Sequence, residues 1–261
     1  MNTYNTDSIA TRKSLLLPTN KLTGIIQRVK PYGSIVGAPA ASDFADQLVQ
    51  PADYKEEIVF AHENKVFPYY HQKNGWGGNS YKWNQNGLNY CWAFGASAAM
   101  MDREAREGSF KALLAPTSLG FLVNWRNAGN YLASVITGVL ERGICEASFR
   151  KSEFALGESN FKEGWKENAL QHRMKQGGIW DVDYSNAKST IQHCITGLTR
   201  GFSVYVAYNW WGHALEIVAV QWDETLPNNL QWWLRNSHNE DDTIILTGSK
   251  AIPDEAYIFR A

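Results

Sequence analysis

The stretch CWAFGASAAMMDREARE (residues 91–107) sets the tightest limit on what this chain can fold into. It follows a segment rich in Gly and Asn (residues 71–89), which reads as loop, and is closed by Gly108, a residue that readily ends helices. Its second half is charged, whereas its first half contains Ala93, Gly95, Ala96, Ala98 and Ala99. A helix with so little side chain can be approached closely from several sides. Such a helix belongs at the centre of a fold, buried between layers.

What surrounds this helix changes character along the chain. SLGFLVNWRNAG (residues 118–129) and YLASVITGVLERG (131–143) suggest more helix, the second through a stripe of Leu132, Val135, Ile136, Val139 and Leu140 closed by Gly143. After Gly177 and Gly178 come β-branched and aromatic runs at 203–208, 214–222, 230–235 and 256–260, separated by turn residues. Helices first and strands later indicate an α+β fold with segregated layers, mainly helical over 61–165 and mainly β over 166–261.

Residues 1–60 read as an extended arm. Pro18, Pro31, Pro39 and Pro51 punctuate them, with Gly24, Gly33 and Gly37 between, and GAPAAS (37–42) looks like a linker. Short helices are expected only at 43–49 and 52–63, the second with Asp53 as its cap. The arm becomes ordered against a partner surface, either this chain's own domain or another protein.

Charge and length exclude several classes. With 25 Lys+Arg against 26 Asp+Glu in 261 residues, there is no basic footprint for nucleic acid or an anionic membrane. No apolar run reaches membrane-spanning length, and the N-terminus lacks a signal-peptide pattern. Three cysteines, Cys91, Cys145 and Cys194, cannot build a disulfide scaffold. The expected setting is the cytoplasm, or a particle assembled there.

Cys91 is the sharpest chemical feature. It stands at the start of the central helix, where unpaired N–H groups and the positive dipole end favour the nucleophilic thiolate. His213 sits at a strand mouth, suited to act as a general base. Asn236 ends the next strand and can orient the imidazole. Gln85, six residues before Cys91, can complete an oxyanion hole with the Cys91 backbone N–H.

These residues resemble the papain-like cysteine peptidases. NQNGLNYCWAF (84–94) is similar to that family's nucleophile segment, GHALEIVAV (212–220) to its histidine segment and WWLRNS (232–237) to its asparagine segment. NAGNY (127–131) is similar to the stretch that holds substrate main chain. The resemblance spans residues from about 65 to 261. It implies a papain-like fold, with a helical left subdomain whose central helix starts at the catalytic cysteine and an antiparallel, barrel-like β right subdomain. It also implies Cys91 as nucleophile, His213 as base, Asn236 as orienter, Gln85 in the oxyanion hole, and Gly129 and Trp92 beside the substrate. The reaction would be hydrolysis of a peptide bond in a peptide or protein, through a thiolate–imidazolium pair and an acyl-enzyme, with no metal and no organic cofactor.

The sequence also departs from that pattern. His238 stands where the family commonly has a Trp that shields the Asn–His hydrogen bond, and the polar run 239–242 follows. Gly212 replaces the usual Asn or Asp before the histidine, and the extra cysteine of the preceding loop is missing. The arm is shorter and less regular than the helical inhibitory pro-regions of secreted members. These departures support a second expectation: a weakly active or inactive papain-fold component, docked through its arm onto a larger assembly such as a phage or virus particle. Cys145 and Cys194 read as small apolar packing residues, His62 and His71 as surface or loop residues, and His238 as a loop residue or a second titrating group near the site.

Overall fold

Along the strands, side chains alternate between two cores, and this period of two defines the architecture. In β3 (Ser203–Tyr208), Tyr205 and Ala207 join one buried cluster while Val204, Val206 and Tyr208 join another. In β7 (Glu255–Phe259), Tyr257 and Phe259 face the first, Ala256 and Ile258 the second. The sheet is therefore buried on both faces, with helices on each side. The computed structural model describes residues 1–7, 34–75, 84–85, 87–123, 129–154, 156–238 and 243–260.

The remaining strands are β1 (Asn2–Asn5), β2 (Ile179–Asp181), β4 (His213–Trp222), β5 (Leu230–Arg235) and β6 (Ile244–Thr247). They form one seven-stranded sheet in the order β1-β6-β5-β4-β3-β7-β2. Neighbours pair antiparallel except β1 and β6, which run parallel. A register shift between Ile217 and Ala219 interrupts the β4–β5 ladder.

The helices are α1 (Tyr54–Glu63), α2 (Pro68–Gly75), α3 (Cys91–Arg106), α4 (Pro116–Leu122), α5 (Leu132–Glu141), α6 (Trp165–Gln171) and α7 (Ala187–Thr199). The small-residue helix α3 lies, as its composition demands, between the sheet and the helices α4 and α5. Gly95 shows how close the approach is: a Cβ there would stand 2.9 Å from the Tyr205 ring and 3.2 Å from the Leu215 backbone. Helices α1 and α7 cover the opposite face, against β4 and β3. A smaller cluster of Ala115, Cys145, Phe161, Trp165 and Ala169 lies apart from both.

Several expectations need correction. Residues 71–75 continue helix α2 rather than forming loop. Asp53 precedes α1 without a side-chain cap hydrogen bond, and a 3-10 turn (Pro51–Asp53) leads in. Residues 43–49 are represented by a 3-10 segment, Ala41–Gln47. Within the strand-rich half, α7 is a full helix, started by Asn186, whose Oδ1 accepts from the Ser189 N–H at 2.9 Å.

The described parts of the first 60 residues lie on this same sheet. Asn2–Asn5 extend it beside β6, Thr6 Oγ1 donates to Thr247 O at 2.8 Å, and Asp7 accepts from Ser249. GAPAAS, expected as a linker, is tied to β2: Ala40 bridges Asp181, whose N–H donates to Pro39 O at 2.9 Å. Pro18, Gly24, Pro31 and Gly33 of the arm, Trp76 and Trp83, the 124–128 part of the expected helix and the polar run 239–242 lie outside the described residues.

Candidate active site

Three neighbouring elements bring the site together. Cys91 is the first residue of α3, His213 the first of β4, and Asn236 follows the last residue of β5. His213 is delivered by a tight turn in which Gly212 N–H donates to Tyr208 O at 2.7 Å and Gly212 has φ +66°. That left-handed conformation suits Gly, Asn or Asp, which gives the departure at Gly212 a physical reason.

Asn236 Oδ1 lies 3.0 Å from His213 Nε2, the hydrogen bond expected of an orienting residue. It leaves Nδ1 as the ring nitrogen available to Cys91. Asn236 Oδ1 also accepts from the Ser237 N–H at 2.9 Å, which fixes the amide. The His213 ring has two aromatic neighbours: Trp211 at 4.7 Å, tilted 56°, and His238 at 4.8 Å, nearly parallel at 27°. His238 is therefore a wall of the site, stacked on His213.

The loop before Cys91 is zipped to the segment after β5. Gln85 N–H donates to Ser237 O at 2.8 Å, Ser237 Oγ donates to Gln85 Oε1 at 2.6 Å, and Asn84 bridges His238. Gln85 thus sits beside the site, but its Nε2 donates to Leu88 O at 2.5 Å instead of facing a developing oxyanion. Trp92, expected beside the substrate, faces the core: it is fully buried, its Nε1 donates to Asn89 O at 2.8 Å, and its ring stacks on Tyr90. Gly129 is half-buried ahead of α5, and residues 124–128 before it lie outside the described residues.

Electrostatics in this arrangement oppose the expected thiolate. The backbone N–H groups of Ala214, Trp92 and Cys91 itself favour the thiolate, but burial outweighs them and pushes the Cys91 thiol up to about 12. Burial likewise brings His213 down to about 3, helped by the neighbouring His238 and opposed by Asn236. Burial lowers His238 to about 4. Among the described residues no hydrogen bond joins Cys91 Sγ to His213. In this closed arrangement burial favours the neutral forms of both thiol and imidazole. The helix terminus supplies the expected field, but desolvation is the larger effect.

The other cysteines are free and buried, Cys145 among the Phe161–Trp165 cluster and Cys194 on α7. His62 is half-buried, with its ring held by Val220 O at 3.0 Å and Tyr70 Oη at 3.2 Å. His71 is largely desolvated as well, which lowers its proton affinity. The sequence reading missed a buried cluster behind the site, Asp102, Glu216 and Arg235. Its signal was a charge set inside otherwise apolar or aromatic strand runs, Glu216 in ALEIVAV and Arg235 in QWWLR. No helix among the described residues is long and apolar enough to cross a membrane.

Comparison with solved structures identifies the architecture. The chain superposes on a digestive procathepsin L2 from the larval midgut of Tenebrio molitor with a TM-score of 0.63, at 13% identity, covering 92% of this chain and 78% of that one. A digestive procathepsin L 3 from the same source gives 0.55 at 15% identity, over 70% of this chain and 66% of the other, just under two thirds of its length. Xylellain, a cysteine protease from Xylella fastidiosa, gives 0.53 at 12% identity, over 70% and 84%. The fold is papain-like. No family model and no curated protein matches the sequence.

Proposed function

We propose that the protein is a papain-like cysteine peptidase, hydrolysing peptide bonds through Cys91 and His213. The observation that carries this reading is the 3.0 Å hydrogen bond from His213 to Asn236, made at a strand mouth that adjoins the helix bearing Cys91. In the reaction, Sγ gives its proton to His213 Nδ1 and attacks the carbonyl carbon. A thioester forms, the amine leaves with the proton from His213, and water completes hydrolysis. The Cys91 N–H, joined by Gln85 once its amide turns from Leu88, would face the oxyanion. Residues 61–261 form the peptidase domain in this reading, with 61–165 and 166–261 as its halves, and 1–60 an arm that lies in part on this chain's own sheet and leaves the rest for a protein partner. Its setting is the cytoplasm or a particle assembled there.

Burial of the site favours a second reading. Cys91 is 1% exposed and His213 3%, and burial favours the neutral form of each. A papain-fold component with little or no turnover, docked in a larger assembly such as a virion, fits that closure.

Alkylation separates the two. All three thiols are buried, and burial raises each, Cys91 and Cys194 to about 12 and Cys145 to about 11. Burial alone therefore predicts slow labelling by iodoacetamide near pH 6 with no preference for Cys91. The peptidase reading predicts preferential labelling of Cys91, lost in both Cys91→Ala and His213→Ala. Equal labelling of the three cysteines would sink it.

A further inference from the structure

Each element that carries a site residue also contributes one charged side chain to a buried cluster behind the site. Asp102 lies on α3, eleven residues on from Cys91; at about 3.6 residues per turn that is three turns down the same helix face. Glu216 lies on β4, three residues after His213, and Arg235 immediately precedes Asn236. Arg235 Nη1 donates to Asp102 Oδ2 at 2.9 Å and also to Glu216 Oε2, which sits on the directly opposed cross-strand partner residue. The three side chains are at most 3% exposed.

Between this cluster and the site, small residues make part of the contact. Gly95 and Ala98 of α3 meet Ala214 of β4 around a void of about 10 Å³ that Phe94 and Leu215 also line. Small surfaces of this kind allow a helix to slide along its axis. Burying three ionisable groups is a poor way to gain stability, because desolvation offsets their attraction; fixing register is the best-attested use of such groups. Burial pushes the Glu216 carboxyl well up, against the pull of Arg235 and with the push of Asp102. The cluster acts through geometry.

We propose that Asp102, Glu216 and Arg235 form a positioning device that fixes the axial register of α3 against β4 and β5, and so sets where Cys91 stands relative to His213 and Asn236. The inference rests on reading the site as a cysteine hydrolase. The three residues touch no substrate and act only through the elements they join.

The test compares two variants with the wild type. The triple variant Asp102→Leu, Glu216→Leu, Arg235→Met replaces the cluster by apolar groups, and Arg235→Lys keeps the charge but not the planar fork. The triple variant is expected to melt at or above the wild-type temperature. In both variants the His213-dependent preference for labelling Cys91 should fall by about tenfold or more, as for a misplacement approaching 1 Å. Their crystal structures should show a changed Cys91 Sγ to His213 Nδ1 separation. Should the triple variant fail to fold, Arg235→Lys decides. A folded variant with wild-type preference and an unchanged separation overturns the proposal. A wild type lacking His213-dependent labelling refutes the hydrolase reading instead, and the crystallographic separation then decides the positioning role alone.

Discussion

The imidazole of His238 lies 4.8 Å from that of His213, the two planes only 27° apart. Two histidines in such contact, one buried and one half-buried, cannot readily carry charge together. Burial brings one down to about 3 and the other to about 4, and His238 adds to the depression of His213. The acid–base behaviour of the site thus belongs to a stacked pair.

Stability should fall in mild acid. Both folded values lie below the ordinary histidine value of about 6.5, so the unfolded chain takes up protons first as pH drops. This contribution is complete above about pH 6.5 and is lost toward about pH 4 and then 3, at up to about 1.4 kcal/mol per pH unit for each histidine. His172 works the other way: burial lowers it, but the bonds and charges of Glu104 and then Glu146 raise it overall, so its contribution is lost as pH rises. The variant His238→Phe isolates one member of the stack. Denaturant unfolding at pH 7, 5.5 and 4 should show a shallower acid slope than wild type; equal slopes would refute a half-buried, neutral His238.

Alkylation of Cys91 should stay supported by His213 far into acid. The base accepts a proton only when neutral, and its value of about 3 keeps it neutral through pH 5 while leaving it a weak acceptor toward a thiol near 12. The labelling rate of Cys91 is expected to lose its preference only below about pH 4, whereas Cys145 and Cys194 should simply speed up as pH rises. A preference that vanishes between pH 6 and 7 would contradict this account of His213.

Gly212 should accept Asn but not Val. Its φ of +66° costs an ordinary L-residue about 1–2 kcal/mol, more for a β-branched side chain and less for Asn. Denaturant midpoints should rank Gly212→Asn above Gly212→Ala, and Gly212→Val lowest. In Gly212→Val, His213 would also be presented at the wrong angle, so preferential Cys91 labelling should fall with it.

The N-terminal strand should hold β6 in place. Asn2–Asn5 pair with Ile244–Thr247, and Thr6 bonds both Thr247 O and the Lys250 N–H. Deleting residues 1–7 is expected to lower the melting temperature and to speed amide hydrogen exchange across β6 before β4. Unchanged exchange in β6 would show that β1 is not an integral strand.

How far the sequence revealed this depended on where the information was local. The runs over β3, β4, β5 and β7 were legible because each is long, β-branched or aromatic, and bounded by turn residues. NTYN has no such signal and becomes a strand only because the edge of β6 supplies a partner from more than 200 residues away. AKSTIQHCITGLT, rich in Thr and Ile, reads poorly as helix, yet its cap and the apolar face carrying Cys194, Ile195 and Leu198 make it one. The resemblance of short motifs to a known family singled out Cys91, His213 and Asn236. It could not reveal the charge state of the site, because desolvation depends on everything packed around a group.

Each of the three thiols belongs to a different buried cluster: Cys91 beside the central helix, Cys194 across the sheet, Cys145 among Phe161 and Trp165. No pair of them can meet without the layers coming apart. The native state therefore has no crosslink to make or lose, and changing the ambient redox potential leaves its topology alone. Refolding this chain demands neither an oxidant nor disulfide shuffling; the layers must only find one another with each thiol enclosed on its own side.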